Sequence, residues 1–113
     1  MKTNPEAIDL AERLIEENIQ YRYDIWRRAR AMPGGEGLRE PNLYLSYFAG
    51  LLQSSGVASF CPYLPSEAGR RFYTRWHYTV ATLALGRLRR SGKVVTSLGI
   101  GESGREVRCY EPA

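Results

Sequence analysis

Apolar side chains recur along residues 5–31 at near-helical spacing. Ile8, Ala11, Ile15, Ile19, Trp26 and Ala29 form a stripe that Leu10, Leu14, Tyr21 and Ile25 widen. Asn4 followed by Pro5 reads as an N-cap with proline at the first helical position, where the missing N–H costs nothing. Glu6, Asp9, Glu12, Glu16 and Glu17 crowd the first half, and Arg22, Arg27, Arg28 and Arg30 occupy the last turns, as the helix dipole favours. Asp9 to Arg13 and Asp24 to Arg28 add i,i+4 pairs. Met32-Pro33-Gly34-Gly35 stops the helix. So long an element either packs on its own core or meets a second copy as the arm of a homodimer.

Pro41 opens a second helix over 41–55, apolar nearly all round through Leu43, Tyr44, Tyr47, Phe48, Leu51 and Leu52, which predicts a central core element. Residues 57–60, VASF, read as a short strand, and the proline-bracketed CPYLP as an extended connector. Ser66 is an N-cap for a third helix, 66–73. TRWH then leads into TVATLALGRLRRSG, whose helix ends at Gly92 after a basic last turn; no Gly or Pro marks a break between the two, so one long helix is the alternative. KVVTSL and REVRCY are β-compatible runs on either side of a glycine-rich turn.

Composition limits the function. The 113 residues suit one domain, and 43% hydrophobic content suits a packed core. No apolar run reaches the roughly 18 to 20 residues of a membrane span, and MKTNPEAIDL has no hydrophobic signal core, so a cytoplasmic protein away from membranes is expected. Cys61 and Cys109 lack paired spacing and read as ordinary buried thiols. With one histidine, His77, which reads as a capping or surface side chain, neither a metal cluster nor a catalytic triad has material to draw on. No enzyme, cofactor or metal is expected. Residues 1–65 hold 7 Lys/Arg against 8 Asp/Glu, whereas 66–113 hold 9 against 4, so the C-terminal part carries the cationic excess. Such asymmetry points to a polyanion.

The stretch GIGESG, residues 99–104, has the spelling G-x-G-x-x-G of a dinucleotide-binding turn. That motif works only where the glycines lead from a strand into a helix whose free N–H groups meet the phosphates. Here REVRCYEPA follows, an alternating β-type run. The glycines therefore read as a hairpin loop needing positive φ at several positions, with Arg105 and Arg108 making the hairpin basic.

From Thr79 onward the chain resembles the second half of a winged helix-turn-helix domain, with a recognition helix, its terminal glycine, a strand, a wing loop and a returning strand. Leu88, Leu85, Ala84 and Ala81 fall where that family packs the helix on its core. Helix 41–55, strand 57–60 and helix 66–73 would supply the family's first helix, first strand and second helix. The expected fold is mainly α with a small β-hairpin (α+β), a single domain over 1–113. Within it a winged-helix core at 41–111 is preceded by an N-terminal helical extension at 1–35.

The resemblance implies a non-catalytic DNA-binding protein, a small transcription regulator or DNA-processing accessory factor. It would use a recognition helix at about 79–91 and a basic wing at 99–105 on double-stranded DNA. Tyr78, Thr79 and Thr82 would face the groove, with Leu83 and Gly86 beside them. Arg87, Arg90 and Arg105 would contact phosphates from the helix and the wing, with Arg89 flanking. Arg70, Arg71 and Arg75 would approach from the second helix and the turn. The reading face is poor in the side chains that make bidentate base contacts. Val80 and Leu83 add apolar surface outside the core phase, which suits an alternative, a protein-interaction module with a protein partner in a larger complex. Trp76 reads as core or rim packing, and Tyr44, Tyr47 and Phe48 as core.

Overall fold

The computed structural model describes residues 3–113; the first two residues of the expected 1–35 segment lie outside it. Three α-helices and a two-stranded antiparallel hairpin follow one another as α1 (Pro5–Ala31), α2 (Leu45–Gln53), a 3-10 turn (Gly56–Phe60), α3 (Arg70–Arg90), β1 (Val94–Ile100) and β2 (Glu106–Pro112).

α1 begins as its sequence dictates, with the Asn4 Oδ1 accepting from Glu6 N at 2.8 Å and Pro5 in the first turn. It ends where Gly34 turns the chain at φ 84°. Its stripe is not an extension. Ala7, Ala11, Ile15 and Ile19 are fully buried with Val80, Ala81, Ala84, Leu85 and Leu88 in one core, and α1 runs along α3. The part of the stripe from Ala7 to Ile19 is thus covered within the chain, while Tyr21 and Ile25, which widen it, stay exposed. The acidic first half also pairs elsewhere than along its own helix: Asp9 and Glu12 meet Arg87, and Glu16 meets Lys93. Asp24 meets Arg27 rather than Arg28.

α2 is shorter than the sequence predicts because residues 42–44 are extended. Tyr44 forms an isolated antiparallel bridge with Cys109, and the Leu43 carbonyl accepts from Tyr110 N at 2.8 Å. This segment is in effect a third strand fragment against β2. Phe48 is buried as expected, while Tyr44 and Tyr47 are half-buried. Tyr47 uses its hydroxyl to donate to Asn18 Oδ1 at 2.7 Å, fastening α2 to α1.

Residues 57–60 are not a strand. Ser55 Oγ accepts from Val57 N and caps a 3-10 turn that buries Val57 alone. With no neighbouring strand to pair with, so short an apolar run folds on itself.

Two predicted helices, 66–73 and 79–91, are one. Ser66 closes a local turn onto Gly69 instead of capping a helix. From Arg70 the helix runs unbroken because Trp76, His77, Val80, Ala81, Ala84, Leu85 and Leu88 form one continuous buried stripe. Val80 is therefore core. Trp76 is buried too, and His77 is fully buried rather than on the surface. The C-terminus follows the expected glycine stop: Gly92 adopts φ 74°, its N–H reaches the Arg89 carbonyl, and Lys93 N reaches the Leu88 carbonyl at 3.0 Å.

The hairpin pairs Val94 with Pro112 through to Ile100 with Glu106. In its loop only Gly104 has positive φ, 78°. Gly99 and Gly101 serve closeness instead of left-handedness. A Cβ on Gly99 would collide with the Asn42 side chain and the Cys109 sulfur, and one on Gly101 with Val107. No phosphate is needed to account for the spelling of residues 99–104.

Candidate nucleic-acid interface

α3 carries six arginines, one histidine and no acidic residue. Its buried stripe faces α1 and α2, so the opposite side is left to solvent. Residues 71, 75, 78, 82 and 89 recur at offsets of 4, 7, 11 and 18 and so share that side. Arg71, Arg75, Thr82 and Arg89 are exposed, and Tyr78 is partly so. Thr79 lies at the edge. Both threonine hydroxyls bond back along the helix, Thr79 to the Arg75 carbonyl at 3.0 Å and Thr82 to the Tyr78 carbonyl at 2.8 Å. Their methyl groups and the hydroxyl lone pairs are what remain for a partner.

The hairpin closes one side of this face. A cleft of about 660 Å³ lies between Tyr44 to Ser46 at the start of α2, Tyr78 and Thr82 of α3, and the hairpin's Gly101 to Ser103, Val107, Arg108 and Tyr110. A smaller cleft of about 270 Å³ adjoins it and shares Thr82, Arg108 and Tyr110. Arg89, Arg90, Leu83 and Gly86 form its helical wall. The Arg90 guanidinium folds back over Gly86, where a Cβ would come within 3.1 Å of it.

Arg87 is not part of this surface. It points to α1, where it donates to Asp9 Oδ1 at 2.6 Å and lies 3.5 Å from Glu12. Those carboxylates, Asp9 foremost, hold its guanidinium above the usual arginine range. Arg70 falls on the buried stripe's side, seven residues before His77, and stays exposed only because it is at the helix end. Arg71 and Arg75 sit on α3 itself, not on a separate second helix. Arg105 is exposed at the loop of the hairpin, its carbonyl accepting from Gly101 N at 2.9 Å. Arg108, Arg89 and Tyr110 join the groove, although pattern reasoning gave them at most a flanking role. Alternation along REVRCY places Arg108 and Tyr110 on the same side of β2, and that is the signal that finds them.

Among the described residues no group of three His, Cys, Asp or Glu could hold a metal, and no helix is long and apolar enough to cross a membrane. Both cysteines are free thiols, Cys109 buried and bonded to Asn42 Oδ1 at 3.2 Å. Desolvation raises the pKa of each. Compared with known proteins, the chain matches no family model, no curated protein sequence and no solved structure.

Proposed function

We propose that this chain is a non-catalytic DNA-binding protein of winged helix-turn-helix type, a small regulator or DNA-processing accessory factor that lays the solvent face of α3 against duplex DNA. The observation that carries the reading is the convergence of Arg89 and Arg90 of α3 with Arg108 of the hairpin around one cleft. None of the three takes part in an ion pair among the described residues. Three arginines without a carboxylate partner line one cleft, and phosphate suits the bidentate geometry of a guanidinium.

The N-terminal half of α3 supports the same partner. Arg71, on the solvent face, stands in the first turn beside Arg70, at the positive end of the dipole, where both oppose helix stability. Their placement is better explained by a phosphate than by folding. The element order also fits the family pattern once its register is moved. α1 then takes the place of the first helix, the extended residues at Tyr44 that of the first strand, α2 that of the second helix and α3 that of the recognition helix. β1, the glycine loop and β2 form the wing. Residues 54–69 make the connection between α2 and α3 much longer than the usual three- or four-residue turn.

Electrophoretic mobility of a mixed-sequence duplex, titrated between about 50 and 200 mM salt, tests the reading. Binding should weaken steeply with salt, and absence of binding at the low-salt end would sink it.

A second reading rests on Tyr63, which stacks on Phe72 with ring centroids 5.6 Å apart, and on exposed Leu64 and Leu83. These apolar groups suit a protein partner. Leu83→Glu separates the two readings: loss of a co-purifying protein with DNA affinity intact favours this one.

A further inference from the structure

The two clefts differ in chemistry yet share a wall. The larger one presents Tyr44, Tyr78 and Tyr110, while the smaller one presents Arg89, Arg90 and Arg108. A smooth phosphate-binding helix has no use for a recess of about 660 Å³ walled by three tyrosines. Volumes of this order take a small organic ligand, and aromatic rings beside an arginine are what stack on a nucleobase. Tyr110 is steadied from behind by Phe48 in an edge contact at 6.1 Å. Ser103 and Glu102 stand in the same lining, where they can accept from the exocyclic amine of a base. Thr82 and Arg108 belong to both clefts, so a ligand in one touches the other.

We propose that this composite cleft is a binding site for a single unpaired nucleotide, its base between the tyrosines and its phosphate on Arg89, Arg90 and Arg108. This rests on the nucleic-acid reading of the arginine face and adds to it a preference for DNA with an unpaired end or a displaced base. Two sources carry the same chemistry, a strand terminus and a free nucleoside monophosphate.

The test compares three probes on the intact chain at one salt concentration: a blunt duplex, the same duplex with a short 3′ overhang ending in 2-aminopurine, and adenosine monophosphate. For a strand terminus, the overhang duplex binds about tenfold more tightly than the blunt one and its 2-aminopurine emission is quenched on binding. In Tyr78→Ala the overhang duplex binds no more tightly than the blunt duplex measured on the same variant and the emission stays unquenched, whereas Tyr78→Phe retains both effects. Saturable binding of adenosine monophosphate that is lost in Tyr78→Ala, with no overhang preference, assigns the cleft to the free nucleotide. Equal affinity for blunt and overhang duplexes, unquenched emission and no monophosphate binding overturn the proposal, and the blunt-duplex arm then still reports on the DNA reading by itself. Absence of binding to every probe overturns both.

Discussion

Arg87 donates to Asp9 across the α1–α3 seam at 2.6 Å. Three arginines stand within the last four residues of α3, and this bond divides them. Arg87 is held toward α1 by two carboxylates, while Arg89 and Arg90 face the cleft that Arg108 completes. Arg87→Ala should therefore leave DNA affinity within about twofold and lower the unfolding midpoint slightly, more so at low salt. Titrating the same duplex with Arg87→Ala and with Arg90→Ala distinguishes the two. If Arg87→Ala weakens binding as much as Arg90→Ala does, the division of roles is wrong.

The groove arginines make a complementary prediction. Arg90→Ala and Arg108→Ala should each weaken binding by a similar factor on unrelated sequences and reduce the slope of log affinity against log salt by about 1. Both side chains are exposed, so stability should be unchanged. A loss confined to one sequence would mean that these side chains read bases instead of phosphates.

Periodicity made much of the fold legible. The extent of α1, the stop at Gly92 and both hairpin strands come from spacing, capping and alternation, which act locally. What was not legible depends on distant partners. Helix 41–55 loses its first turn because Leu43 and Tyr44 pair with β2 some 65 residues on, as the bridge from Tyr44 to Cys109 records. Val80 looked surplus to the core only while helices 66–73 and 79–91 were read as separate. Once α3 is continuous, α1 covers a wider arc, and Val80 and His77 go inside. Within the candidate site, Tyr78 and Thr82 came from the family resemblance, and the structure places both on the lining of the larger cleft. The bond from Arg87 to Asp9 was not legible, because sequence cannot bring together residues 78 positions apart.

Ile15 bears on the role of the long helix. It is fully buried among residues of α1 and α3, so Ile15→Ala should cost about 2–5 kcal/mol by opening a cavity in the core. If the stripe instead held two copies together, unfolding would depend on protein concentration and Ile15→Ala would remove that dependence. Thermal unfolding of the native chain and of the variant across a hundredfold dilution series decides the matter; the packing predicts a midpoint independent of dilution.

Two glycines should respond in opposite ways. Gly99 lies against Asn42, whose Nδ2 donates to the Ile100 carbonyl at 2.5 Å and whose Oδ1 accepts from Cys109. A methyl at Gly99 would strike both partners, so Gly99→Ala should destabilise by about 1–3 kcal/mol. Gly50 is exposed in the middle of α2 with open space around its Cα, and Gly50→Ala should stabilise by about 0.5–1 kcal/mol. Denaturant midpoints suffice, and a tolerated Gly99→Ala would show that the Asn42 contact does not fix the hairpin.

His77 gives the chain an acid-sensitive core. Its ring lies beside Tyr73 and edge-on to Trp76, with centroids at 4.5 and 4.8 Å. Nδ1 donates to the Tyr73 carbonyl at 2.8 Å, and Nε2 is buried without a partner. Desolvation lowers its pKa, outweighing the backbone bond that favours the charged form. Above about pH 6.5 the imidazole is neutral whether folded or unfolded, and stability is insensitive to it. As pH falls below that value the unfolded chain takes up the proton first, so the native state loses stability until the depressed folded pKa is passed. Urea midpoints should decline between about pH 7 and 5 in the native chain. His77→Phe keeps a ring between Tyr73 and Trp76 and removes the orphan nitrogen, so it should flatten that decline without loss at neutral pH. Equal slopes in the two proteins would show that His77 reaches a partner when it charges and is not the source of the acid sensitivity.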